Sequence, residues 1–183
     1  MKISYNSPVI LSFALICTAV FFIDGFVAGN LMQFFSVGTD FSAHPVVLFS
    51  MISHVIGHAS MEHLLGNMTF VLLLGPIVEE KYGSGKTIFM ILATAIITAI
   101  INMSFFSTGL LGASGIVFML ILLVSFTNVK DGKIPLTFIL VALLFVGKEI
   151  IHTFQEDQVS QAAHIIGGVC GSIFGFVLGR KNS

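Results

Sequence analysis

Long apolar runs constrain this 183-residue chain more than any other feature; they fall at about 9–30, 56–78, 87–106, 114–128, 134–151 and 161–179. Most approach the roughly 20 residues a helix needs to cross a hydrocarbon layer about 30 Å thick. Lipid offers no hydrogen bonds, so such runs must pair their own backbone groups as helices. Composition agrees: at 56% hydrophobic and 9% charged residues, the chain lacks the polar surface of a soluble domain. The expected fold is an all-α membrane protein, a compact bundle of six transmembrane helices. It would form one membrane domain over 1–183, with no soluble domain attached. The stretch 31–55 is also apolar, but Gly38, Asp40 and Pro45 interrupt it, so a long connection in or on the interface is expected there. A net charge of −1 gives no basis for binding nucleic acid. Cys17 and Cys170 lie inside apolar runs and read as small hydrophobes, not as a disulfide framework.

Lys2, Lys81, Lys86, Lys130, Lys133, Arg180 and Lys181 fall at alternate ends of the six runs, and only Lys148 falls at the other ends. Positive charge stays cytoplasmic. Both termini and the 79–86 and 129–133 loops are therefore expected inside, and the 31–55, 107–113 and 152–160 loops outside. The second, fourth and sixth runs then share one direction. Ser114 lies 16 residues before Lys130, His164 lies 16 before Arg180, and His63 lies 18 before Lys81. At about 1.5 Å per residue, all three sit some 24–27 Å from the inner boundary, in one submerged layer. Asn67 follows His63 by one turn on the same face.

Polar groups at that depth need partners and mark functional sites more often than they would in a soluble core. Taken singly, Ser114 also reads as a small packing residue and His164 as a structural imidazole. The glycines Gly167, Gly171, Gly175 and Gly179 form a four-residue ladder one turn after His164. Close helix packing explains such a ladder by itself. It is also what a helix needs if His164 is to approach Ser114 beside Gly115. A serine hydroxyl becomes a useful nucleophile once a base takes its proton, and histidine suits that task. His63, Asn67 and the Ser114 backbone N–H are donors of the kind an oxyanion requires. No acidic residue stands at this depth to complete a triad, so the pattern points to a Ser–His dyad.

These residues resemble the rhomboid intramembrane serine proteases. HVIGHASMEHLLGN (54–67) carries His54, His58, His63 and Asn67 at that family's spacing, and GASG (112–115) matches its Gly-x-Ser-Gly. AHIIGGVCG (163–171) is similar to the family's sixth-helix pattern, and VEEKYGSGK (78–86) to its turn after the second helix, with Glu79 as the acidic member. The resemblance implies an intramembrane serine endopeptidase without a cofactor that cleaves transmembrane proteins in the bilayer. Ser114 would be its nucleophile and His164 its base and acid. His63, Asn67 and the Ser114 backbone would hold the oxyanion, and Gly112 would shape the pocket. His54 and His58 would support the site and its water, and Gly115, Gly167 and Gly171 would let the helices approach. Phe118 stands where many members have a Tyr that stacks on the catalytic imidazole, and the family's Trp-Arg pair is missing from 31–55. A catalytically silent family member that binds membrane clients is the alternative. It is disfavoured because both Ser114 and His164 are present.

The compact form and the charge bias suggest a bacterial plasma membrane, with the site open to the outer side and gated by 148–160 around Phe154 together with the fifth helix. Two lesser patterns point elsewhere. KYGSGKT (81–87) has Glu80 where a phosphate loop needs its first Gly, so it reads as a charged turn. The histidines at 54, 58 and 63 lack the HExxH pattern of a zinc protease, so no metal is expected. His44 and His152 read as solvated. Substrate identity and oligomeric state leave no mark in the sequence.

Overall fold

Pro8 begins the first helix because a proline without an N–H costs nothing at that position. The computed structural model describes residues 5–27, 31–125 and 158–179, with helical pieces at 136–137, 139–140 and 143–144. Most of the fifth expected run, residues 148–157 of the expected gate with Phe154 and His152, and the charges Lys2, Lys130, Lys133, Lys148, Arg180 and Lys181 lie outside the described residues. The described elements are α1 (Pro8–Phe26), α2 (Pro45–Ser53), α3 (Met61–Tyr82), α4 (Ser84–Phe105), α5 (Ser114–Ser125) and α6 (Gln158–Gly179), with one 3-10 turn at Met32–Phe34. The architecture is all-helical: among the described residues the only β-type pairing is the isolated bridge between Val37 and Leu110. Three helices, α1, α3 and α4, are long and apolar enough to cross a membrane, while α5 and the apolar part of α6 are shorter.

The connection expected over 31–55 contains the nine-residue helix α2. Pro45 starts it instead of breaking it, because its missing N–H falls at the helix start. His44 is exposed, as expected, and its Nδ1 also accepts the Val46 N–H at 3.3 Å and caps the helix. The second apolar run was expected to be helical from 56, yet α3 begins at Met61, where the Ser60 hydroxyl accepts the His63 N–H at 3.1 Å. His54 and His58 therefore precede α3, with His54 capping the end of α2.

At the other end of α3, Glu79 is buried and both of its carboxylate oxygens are engaged. They accept the Val9 and Ile10 N–H groups at 3.1 and 3.0 Å and the Ser84 hydroxyl at 2.7 Å. One carboxylate thus caps α1 and ties it to the α3–α4 turn, where charge and helix dipole attract. Just above, Gly75 makes room for Ile10, since a Cβ there would stand 2.6 Å from its Cδ1. The core is built around α5, whose residues from Gly115 to Leu123 are all buried. Apolar side chains also cover the outside of α1, α3 and α4, Leu15, Leu73 and Phe89 among them, as a lipid-facing surface requires.

Candidate active site

The short segment before α5 holds the backbone in place. Gly112 adopts φ +119°, a region side-chain-bearing residues avoid. A Cβ at Gly112 would also stand 2.5 Å from Cε1 of the His63 ring, so the glycine is needed twice. Its N–H donates to the His54 carbonyl at 2.8 Å. Two residues earlier, Leu110 and Val37 exchange backbone hydrogen bonds of 3.0 and 2.8 Å. Ser114 follows as the half-buried first residue of α5.

His164 projects from α6 onto α5. Its ring stacks on Phe118 with centroids 4.2 Å apart and planes 4° from parallel. Phe118 stands four residues after Ser114, on the same helical face, so the stack holds the imidazole over the first turn of α5. Glycine makes that approach possible. A Cβ at Gly167 would overlap the Gly115 carbonyl, and one at Gly171 would overlap the Met119 carbonyl. Gly115 in turn lies against the Ala163 carbonyl, with 3.4 Å for the Cβ it lacks. Gly171 packs deeper along this seam than the residues around Ser114.

His63 is half-buried and lies close enough to His164 for the two rings to interact electrostatically. On its other side it meets His58 edge-to-face, with centroids 5.1 Å apart. The His58 Nδ1 donates to the Ile56 carbonyl at 2.9 Å, which leaves its buried Nε2 as an acceptor without a protein donor. Asn67, one turn along α3, is buried, and its Nδ2 has no protein acceptor. A buried donor left open is costly and marks a place where an acceptor is expected. His54 reaches the site through its backbone, while its ring spans two elements. Nδ1 donates to the Ser50 carbonyl at 3.2 Å, and Nε2 meets the Thr98 hydroxyl at 3.3 Å.

Gly112, His63, His58, His164 and Phe118 thus gather around the start of α5, with Gly115 and Gly167 making the approach possible. Two supporting residues escaped the sequence reading. Thr98 holds the His54 ring, and Asn102 donates from Nδ2 to the Thr108 carbonyl at 3.0 Å, fixing the loop before Ser114. Their signal was a polar line on one buried face of α4, formed by Thr87, Thr94, Thr98 and Asn102.

Comparison with known proteins identifies a family. The Rhomboid domain model matches residues 45–181, from the start of α2 to just past α6. The rhomboid protease GlpG of Haemophilus influenzae is 27% identical over 140 residues, covering 72% of this chain and 71% of that protein. GlpG of Salmonella paratyphi A is 28% identical over 140 residues, covering 73% of this chain and 50% of its own length. The chain thus spans about half the length of the Salmonella relative. With the matched segment covering most of the chain and ending where the helix of His164 ends, this protein belongs to the rhomboid family.

Proposed function

We propose that this chain is an intramembrane serine endopeptidase that hydrolyses peptide bonds of transmembrane proteins by a Ser114–His164 dyad. The observation that carries the reading is the parallel stack of His164 on Phe118, one turn from Ser114. His164 takes the Ser114 proton as the hydroxyl oxygen bonds to the scissile carbonyl carbon. It then returns a proton to the leaving amine as the C–N bond breaks. Water, deprotonated by the same imidazole, releases the acyl group and restores the serine. The developing oxyanion is met by the Ser114 N–H at the start of α5, by His63 and by the open Nδ2 of Asn67. Removing one such donor costs about 3–4 kcal/mol of transition-state stabilisation. Phe118 steers the imidazole by stacking alone, having no hydroxyl.

Six spans over a single 1–183 domain, both termini cytoplasmic and a site open to the outer face complete the proposal, supported by the charge bias of the chain. A bacterial plasma membrane fits the relatives named above. The test is cleavage of a generic transmembrane substrate by purified, reconstituted protein, with Ser114→Ala and His164→Ala in parallel. Cleavage by the wild type alone is expected. A folded wild type that leaves several substrates intact in several lipids would overturn the protease reading in favour of a client-binding, silent family member.

A further inference from the structure

His63 stands in the first turn of α3 with its ring half-buried, and its backbone N–H is taken by the Ser60 hydroxyl. Among the described residues no hydrogen bond reaches its ring. A group that meets a transition state must keep its place to within about 0.5 Å and 10–20°. Contact therefore has to do what bonding does not. One contact is Gly112, where a Cβ would stand 2.5 Å from the His63 Cε1 and 2.7 Å from its Nε2, so this edge of the ring faces the segment leading to Ser114. The other is His58, met edge-to-face with centroids 5.1 Å apart and planes at 64°.

We propose that His58 is a positioning residue of the peptidase, its fixed ring holding the His63 imidazole in place as an oxyanion donor. His58 is 2% exposed. A carbonyl can only accept, so Nδ1 carries the proton in its 2.9 Å bond to Ile56. The segment that supplies this carbonyl is pinned from several sides. The Ile56 N–H donates to the Ser53 carbonyl at 2.9 Å, and the Val55 carbonyl accepts the Cys17 thiol at 3.9 Å. Gly57 lies so close to the Phe35 carbonyl that a Cβ would overlap it. The His54 carbonyl accepts the Gly112 N–H at 2.8 Å, which ties this segment to the loop before Ser114. A His63 ring resting on both His58 and Gly112 is thus registered to the nucleophile.

Packing alone does not account for an imidazole at 58. An apolar ring would fill the same space, whereas the imidazole leaves its Nε2 buried without a protein donor. Folded proteins seldom keep such a defect without a use for the group. What the imidazole adds is the Nδ1–H anchor, which stops the ring from turning away from His63.

The test is a double-mutant cycle, read as the rate at which a fluorophosphonate labels Ser114 in the folded, reconstituted protein. His58→Ala should slow labelling about ten-fold, less than the roughly hundred-fold cost of a full ångström of misplacement. His58→Phe keeps a ring but loses the anchor, and should slow it about three-fold. In a His63→Ala background either substitution should change the remaining rate less than about two-fold, because the ring it acts on is gone. A residue that only supports the fold slows both backgrounds alike. Equal slowing in the two backgrounds, or none in either, overturns the proposal. Should His58→Ala not fold, His58→Phe completes the same cycle. The inference rests on the peptidase reading: a wild type that takes no label sinks both, whereas additive losses in a wild type that labels sink this one alone.

Discussion

The seam between α5 and α6 and the contact between α1 and α4 show opposite ways of placing two helices in a membrane. At the seam, glycines remove every side-chain atom between backbones, and Gly167 and Gly171 sit directly on carbonyls of the facing helix. Between α1 and α4 the contact is slighter, and α1 depends more on a buried carboxylate and a notch on α3. Hydrophobicity does not drive helices together in lipid, so closeness must come from shape. Close approach is concentrated where His164 stacks on Phe118, one turn along α5 from Ser114.

The largest effect should come from breaking the seam. Gly167→Ala forces a methyl group into the Gly115 carbonyl, and overpacking of this kind costs about 3 kcal/mol. Unfolding of the reconstituted protein should show that loss, together with loss of cleavage. Its neighbour sharpens the contrast. A Cβ at Gly168 meets only Leu122 at 3.7 Å, so Gly168→Ala should be neutral or gain up to about 1 kcal/mol of helix propensity. Equal damage from the two would remove the glycine argument.

Next in size is the fastening of α1. Glu79→Ala leaves the Val9 and Ile10 N–H groups and the Ser84 hydroxyl without their acceptor, at a cost of about 2 kcal/mol in the same unfolding measurement. Substrate binding should change little if α1 lies apart from the chemistry.

Phe118→Leu should cost about 1 kcal/mol through the lost ring stack, seen as a several-fold fall in kcat with KM nearly unchanged. A rise in KM alone would assign the ring to substrate contact. Smallest is Thr98→Val, which removes the hydroxyl facing His54 Nε2 and should cost at most about 1 kcal/mol, with a modest fall in kcat. Thr98→Ser should restore it.

Much of this molecule was legible from hydropathy and spacing, and the exceptions have physical causes. Apolar length announced the helical bundle because lipid leaves the backbone no other choice. Boundaries slipped where capping outweighed hydropathy: Ser60 starts α3 five residues after its apolar run begins, and Pro45 opens a helix in a stretch read as a connection. The glycine ladder after His164 was visible, but not which carbonyls it admits. Thr98 looked like any small residue in an apolar run, and its meaning depends on a histidine 44 positions earlier. Glu79 stood out by type, while its capping of a helix 69 and 70 positions away is a tertiary fact that no local pattern carries.

The central claim is that Ser114 is a nucleophile activated by His164. The most direct measurement is intact-mass analysis after exposure of the folded, reconstituted protein to a fluorophosphonate. A single phosphonyl adduct on Ser114 is expected, absent in Ser114→Ala and formed at least ten-fold more slowly in His164→Ala. A folded wild type that takes no label, or labels with equal speed without His164, would contradict the dyad.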